Sequence, residues 1–189
     1  MILIMIYKSP NQLLNSFLAS FTSFLTLPSP FFSSDLALSP ICFPGGMVEK
    51  DETPEECAIR ECVEELGIEQ SKVEIAAKAG CVVSHRDAII HVFIGVIHIE
   101  SPEDAVPNKK EVAELFTVPT SFFTETKPVI YQVDSFTETG NFPVKELKLP
   151  KRYYGTWANG KRNIYVYKYG DKIIWGLTAA ILYELISLL

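Results

Sequence analysis

Hydrophobic and polar positions change character along the chain. From residue 41 onward, short runs rich in β-branched and aromatic residues alternate with turn signals, which predicts strands at 72–78, 89–99, 163–169 and 172–175. Tyr169-Gly170-Asp171-Lys172 reads as a tight hairpin turn, and Gly140-Asn141-Phe142-Pro143 as a loop. Two segments carry helical signals instead. Residues 54–66 follow Thr53, a good N-cap, with Pro54 in the first turn and Glu56 placed to complete a capping box. Gly67 supplies the stop, because glycine adopts positive φ without penalty. A second helix is predicted at 177–189. Strands mixed with a few helices, lacking a regular βαβ rhythm, predict an α+β fold with a mixed sheet.

The first 48 residues differ. They hold only two charged side chains, Lys8 and Asp35, and the first arginine of the chain is Arg60. A signal peptide needs a basic end before its apolar run, yet the only lysine here follows it. A transit peptide needs arginine. Asn11, Gln12, Asn15, Ser16 and later prolines interrupt the ~18 consecutive apolar residues of a membrane span. Residues 1–40 therefore read as an atypical apolar N-terminal extension, partly disordered, and residues 41–189 as one domain with no membrane span.

Composition narrows the chemistry. The chain is 48% apolar and 21% charged, ordinary for a soluble protein, and its net charge of −6 comes with no basic block. That argues against a nucleic-acid partner. An acidic protein that handles phosphates must find positive charge elsewhere, and a divalent cation is the obvious source. Cys42, Cys57, Cys62 and Cys81 form no CxxC pair and have no clustered histidines, so they read as reduced structural thiols, not zinc ligands.

The helix at 54–66 concentrates carboxylates. Glu61 and Glu65 stand one turn apart with Glu64 beside them, and like charges at i and i+4 repel by a few tenths of a kcal/mol. Such a cluster is locally unfavourable unless something positive sits among it; all-oxygen acidic sites suit Mg²⁺ or Mn²⁺. Arg60 reaches back toward Glu52 to brace the preceding loop, and the Gly45-Gly46 pair lets the backbone turn sharply and present a carbonyl near the metal. A run of glutamates by itself usually marks only a solvated face. The full spacing, Gly-x5-Glu-x7-Arg-Glu-U-x-Glu-Glu-x-Gly-U with U aliphatic, is met at Gly46, Glu52, Arg60, Glu61, Glu64, Glu65, Gly67 and Ile68, with Cys62 in place of one aliphatic residue.

This pattern is the Nudix box, and the chain resembles the Nudix hydrolase superfamily. The resemblance implies an α/β/α sandwich around a mixed sheet and Mg²⁺- or Mn²⁺-assisted attack of water on a pyrophosphate. It implies that Glu61 and Glu65 are the principal metal ligands, Glu64 a further ligand or the base that activates water, with Glu61 and Glu64 the catalytic pair and Gly46 contributing its carbonyl. Three stretches outside the box resemble the coenzyme A diphosphatase branch: Ile41-Cys42-Phe43-Pro44-Gly45-Gly46, then Asn108-Lys109-Lys110-Glu111-Val112 leading to Leu115-Phe116-Thr117-Val118-Pro119, and Ile174-Trp175-Gly176-Leu177-Thr178-Ala179. The implied substrate is CoA or acyl-CoA, and the implied location is intracellular, in a peroxisome or mitochondrion. Ser187-Leu188-Leu189 lacks the basic residue of a peroxisomal Ser-Lys-Leu address.

One departure keeps alternatives open. The branch carries arginines before Phe-Pro-Gly-Gly, where residues 21–40 have none. Another nucleoside diphosphate derivative, or a weakened enzyme that binds nucleotide, stands beside the CoA reading. Glu111 reads either as a late-loop metal ligand or base, or as an ordinary surface residue. His85 and Arg86, and the basic patches Lys151-Arg152-Tyr153-Tyr154 and Lys161-Arg162, are further candidates against a plain surface role.

Overall fold

Helix α1 (Pro54–Leu66) begins and ends where its local chemistry dictates. The Thr53 hydroxyl accepts from the Glu56 N–H at 3.2 Å while the Glu56 carboxylate accepts from the Thr53 N–H at 2.8 Å. Gly67 closes the helix at φ 62°, with its N–H donating to the Val63 carbonyl. The side chains of Cys57, Ala58, Cys62 and Leu66 line the buried stripe. Ala58, Cys62 and Leu66 pack on Phe93 and Ile97 of β4 (Ile89–Ile97), together with Ile68, Ile99 and Ala105. Burying one such Leu contributes about 1.5–3 kcal/mol.

The computed structural model describes residues 2–8, 21–28, 41–83 and 88–188, with side chains described for 41–83, 88–157 and 160–188. Its β-structure divides into two sheets. The larger one has the order β3-β4-β1-β2-β5, built from β1 (Ile2–Lys8), β2 (Phe21–Pro28), β3 (Val73–Val83), β4 and β5 (Val112–Pro119). It is mixed: β1 runs parallel to β4, and the other pairings are antiparallel. The second sheet has the order β6-β7-β8, from β6 (Val129–Glu138), β7 (Thr156–Tyr169) and β8 (Lys172–Trp175). Helix α2 (Thr120–Glu125) follows β5, and α3 (Gly176–Ser187) follows β8.

Layering follows from two cores. One lies between α1 and the larger sheet. The other joins the opposite side of that sheet, through Val92 and Val118, to Tyr167 and Ile174 of the smaller sheet, Phe123 of α2 and Ala179, Ile181 and Leu182 of α3. Ile41 and Phe43 belong to this second core, so the approach to the Gly45-Gly46 loop is anchored from below. The result is α+β, with helices on both sides of a mixed sheet.

The N-terminal stretch contributes two strands to the larger sheet. Its segments β1 and β2 sit inside the larger sheet, between β4 and β5, with Ile2–Tyr7 in register against Val92–Ile97 and Thr22–Pro28 against Val112–Pro119. Ile2-Leu3-Ile4-Met5-Ile6 is a continuous apolar run, without the alternation by which a half-buried strand is recognised. The rest of residues 1–40 lies outside the described residues.

Candidate metal and pyrophosphate site

The box loop and α1 place the candidate side chains against one another. Glu61 faces Gly46: a Cβ built on that glycine would meet Glu61 Oε1 at 2.1 Å. Glu65, one turn further on, accepts the Gly45 N–H through its Oε1 at 3.1 Å. Both carboxylates are thus turned toward the Gly45-Gly46 loop. Neither glycine has positive φ, so the sharp turn expected there is not what selects glycine at 46. Close approach is: the absent side chain leaves room for the Glu61 carboxylate.

Arg60 organises the remainder. Its Nε donates to Glu52 Oε1 at 2.8 Å and its Nη2 to Glu52 Oε2 at 3.2 Å, a two-point clamp of loop to helix. Its Nη1 donates to Glu61 Oε1 at 2.9 Å and Glu64 Oε2 at 3.2 Å. One guanidinium therefore gathers three carboxylates, of which Glu52 and Glu61 are largely shielded and Glu64 is half exposed. The Arg60 hydrogen bonds, helped by one from the Glu49 backbone, lower the Glu52 pKa from 4.5 to about 2. The same hydrogen bond to Glu52 raises Arg60 further above its ordinary range.

Two participants escaped the sequence reading. The Met47 carbonyl accepts from Arg60 Nη2 and from the Cys57 thiol, each at 3.2 Å, although the Met47 side chain itself is exposed. Cys57 also accepts from Arg60 Nη2 at 3.3 Å. The i, i+3 spacing of Cys57 and Arg60 was the available signal, since it puts both on one helix face. Burial pushes the Cys57 thiol up to about 11 and the Cys62 thiol up to about 12, so both stay protonated. Cys81, by contrast, is exposed, with its sulfur 3.2 Å from His91 Nδ1.

Glu111 stands just before β5, in a loop docked on the end of α1. The Asn108 N–H donates to the Glu65 carbonyl at 3.1 Å, and the Glu111 N–H donates to the Asn108 carbonyl at 2.9 Å. The loop is held close, since a Cβ on Gly67 would strike the Val106 carbonyl oxygen at 1.9 Å. The Glu111 carboxylate makes no hydrogen bond or ion pair among the described residues. His85 and Arg86 lie outside the described residues.

Among the described residues, no group of three or more His, Cys, Asp or Glu side chains stands already spaced to hold a metal ion. The geometry gives the cause: Arg60 lies between Glu61 and Glu64, and the Gly45 N–H draws Glu65 aside. The donor chemistry nevertheless suits a hard divalent cation. Glu61, Glu64 and Glu65 are all carboxylates on one rigid helix, two already facing the same loop, and only their side-chain torsions need change to converge.

Comparison with known proteins gives the family. The chain is 29% identical to Nudix hydrolase 3 of Caenorhabditis elegans over 79% of this chain and 60% of the relative. It is 33% identical to the peroxisomal coenzyme A diphosphatase of Mus musculus over 53% of this chain and 41% of the relative. The matched region thus spans less than two thirds of the curated relatives' own length. A solved C. elegans Ap4A hydrolase superposes with a TM-score of 0.46 at 16% identity, covering 61% of this chain and 75% of that one. The NUDIX domain family profile matches residues 31–132, more than half of the sequence and the whole of the loop and helix described above, and this chain belongs to that family.

Proposed function

We propose that the chain hydrolyses the pyrophosphate bond of coenzyme A or acyl-CoA, giving 3′,5′-ADP and 4′-phosphopantetheine or its acyl form. The convergence of Glu61 and Glu65 on the Gly45-Gly46 loop, with Glu64 open beside them, carries the reading of the chemistry. For the substrate, support comes from Phe43–Gly46, 108–119 and 174–179, and from similarity to the mouse coenzyme A diphosphatase.

Glu61 and Glu65, with Glu64 and the Gly46 carbonyl, would hold Mg²⁺ or Mn²⁺. Such a cation neutralises phosphate oxygens and makes a nearby water more acidic. The side chains do the rest. Glu64, the most open of the trio, takes the proton from the attacking water at its carboxylate. Arg60, clamped by Glu52, ties the box loop to the helix that carries the trio and supplies positive charge beside Glu61 and Glu64. Glu111 serves as a supplementary acidic group from the loop docked on α1. A peroxisomal or mitochondrial setting accompanies this reading, in keeping with the relatives, one of them named peroxisomal and another, in Arabidopsis thaliana, mitochondrial.

A second reading, hydrolysis of ADP-ribose, a dinucleotide or a capped nucleotide, is favoured by one observation: residues 21–40 hold no arginine, so the approach to the box lacks a charge-assisted donor for the additional 3′-phosphate of CoA. Hydrolysis of CoA, ADP-ribose and diadenosine tetraphosphate, each with and without Mg²⁺ or Mn²⁺, separates the readings by product mass. Metal-dependent release of 3′,5′-ADP from CoA is the expected result. Turnover of the others with CoA untouched overturns the CoA assignment.

A further inference from the structure

Between β6 and β7 the chain makes an excursion, residues 139–155, whose chemistry differs from the rest of this acidic protein. From 145 to 152 the sequence Lys-Glu-Leu-Lys-Leu-Pro-Lys-Arg sets four cations against one carboxylate. Lys148 is held in the left-handed region at φ 51°, a conformation that lysine seldom adopts. Three aromatic rings gather here. Phe142 meets Trp157 edge to face at 5.2 Å and 78°, and Tyr153 meets Trp157 at 6.1 Å and 79°. The Trp157 indole N–H donates to the Tyr153 carbonyl, which fixes the indole plane. Arg152 lies over the Tyr153 ring at 4.9 Å and donates to the Tyr153 hydroxyl at 3.1 Å.

The rings touch edge to face, yet they leave a cleft open beside them. A cavity of about 490 Å³ remains among Phe142, Leu149, Arg152, Tyr153, Thr156 and Trp157, while Phe142 is 42% and Tyr153 38% exposed. Thr137 of β6 pairs with Trp157 of β7 at the end of the ribbon remote from Val129 and Val166, so neither principal core supplies a covering surface.

We infer that this pocket binds an adenine nucleotide, the planar base stacking on the aromatic rings and a phosphate monoester meeting Arg152. Aromatic rings left partly exposed beside a cleft suit a flat π-system, and stacking of a base on aromatic side chains is sequence-tolerant and strong. An Arg whose plane is already fixed by a tyrosine presents its remaining N–H groups as a preset fork for phosphate oxygens. Choosing adenine rests on the proposed function, whose candidate substrates all carry adenosine; the pocket's affinity for a planar anion does not.

The test is calorimetric titration of the full chain with 3′,5′-ADP in EDTA, for the parent, Arg152→Gln and Phe142→Ala. Saturable binding by the parent, weakened about tenfold or more in each variant, is expected. Adenosine should bind the parent more weakly and be indifferent to Arg152→Gln, whose exposed site leaves the melting temperature unchanged. Equal affinity in the parent and Arg152→Gln, or no binding by the parent, overturns the inference. Parallel CoA assays keep the two claims apart. If CoA is cleaved but 3′,5′-ADP binding ignores Arg152→Gln, the pocket fails and the substrate reading stands. If CoA is not cleaved yet Arg152→Gln weakens 3′,5′-ADP, the substrate reading fails and the pocket stands.

Discussion

Arg60 lies within hydrogen-bonding distance of three carboxylates, and two substitutions around it separate support from chemistry. Gly46→Ala would press a methyl group into the Glu61 carboxylate, the free end of a flexible side chain, so the carboxylate shifts and the fold holds. A displacement of about 1 Å costs on the order of 10²-fold in rate. The expected result is a kcat lowered by that order with an unchanged melting temperature, read from steady-state kinetics and a thermal melt. Glu52→Gln acts through the clamp instead. Because the folded pKa of Glu52 lies below its ordinary 4.5, at about 2, its stabilisation is fully present above pH 4.5 and is lost as pH falls toward 2. The melting-temperature gap between parent and Glu52→Gln should therefore narrow on acidification across that window. A gap that widens contradicts the sign.

At the level of elements, α1 was legible to the residue because everything that sets its ends is local: Thr53, Pro54 and Glu56 before it, Gly67 after. Gly67 also carries a constraint that no local signal announces, the Val106 carbonyl 1.9 Å from where a Cβ would stand. Gly67→Ala meets both the positive φ and a backbone atom that cannot swing aside, and should destabilise by more than about 1 kcal/mol, visible as a lowered urea midpoint. Strands depended on how far their partners lie in sequence. The β7–β8 hairpin was readable from Tyr169-Gly170-Asp171-Lys172, with Gly170 at φ 58°, as its turn is self-contained. The strands β1 and β2 were hidden since their register is set by β4 and β5, some ninety residues away. β6 was missed for another reason: every residue from Val129 to Glu138 is exposed, so no buried face imposes the period of two on which strand recognition rests. Within the candidate site, the contacts of Arg60 with Glu52, Glu61 and Glu64 join residues picked out by spacing, whereas the Met47 carbonyl and the Gly45 N–H had no such signal, because backbone groups leave no trace in residue identity.

For the whole molecule, the placement of β1 and β2 makes the larger sheet dependent on the chain before residue 41. Removing residues 1–40 would leave the facing edges of β4 and β5 unpaired along their length, a folding and aggregation liability. A chain of residues 41–189 should accordingly be insoluble or lack a cooperative melt, and a sharp melt matching the parent's would refute the sheet order. No helix among the described residues is long and apolar enough to cross a membrane. The central claim concerns the box: a net of carboxylates, partly neutralised by Arg60, that a divalent cation completes. Titration of Mn²⁺ followed by electron paramagnetic resonance, on the parent and on Glu61→Gln/Glu65→Gln, tests it most directly. The account predicts stoichiometric Mn²⁺ binding by the parent and its loss in the double variant, with the helix intact by circular dichroism; equal Mn²⁺ binding by both proteins, or none by the parent, would contradict it.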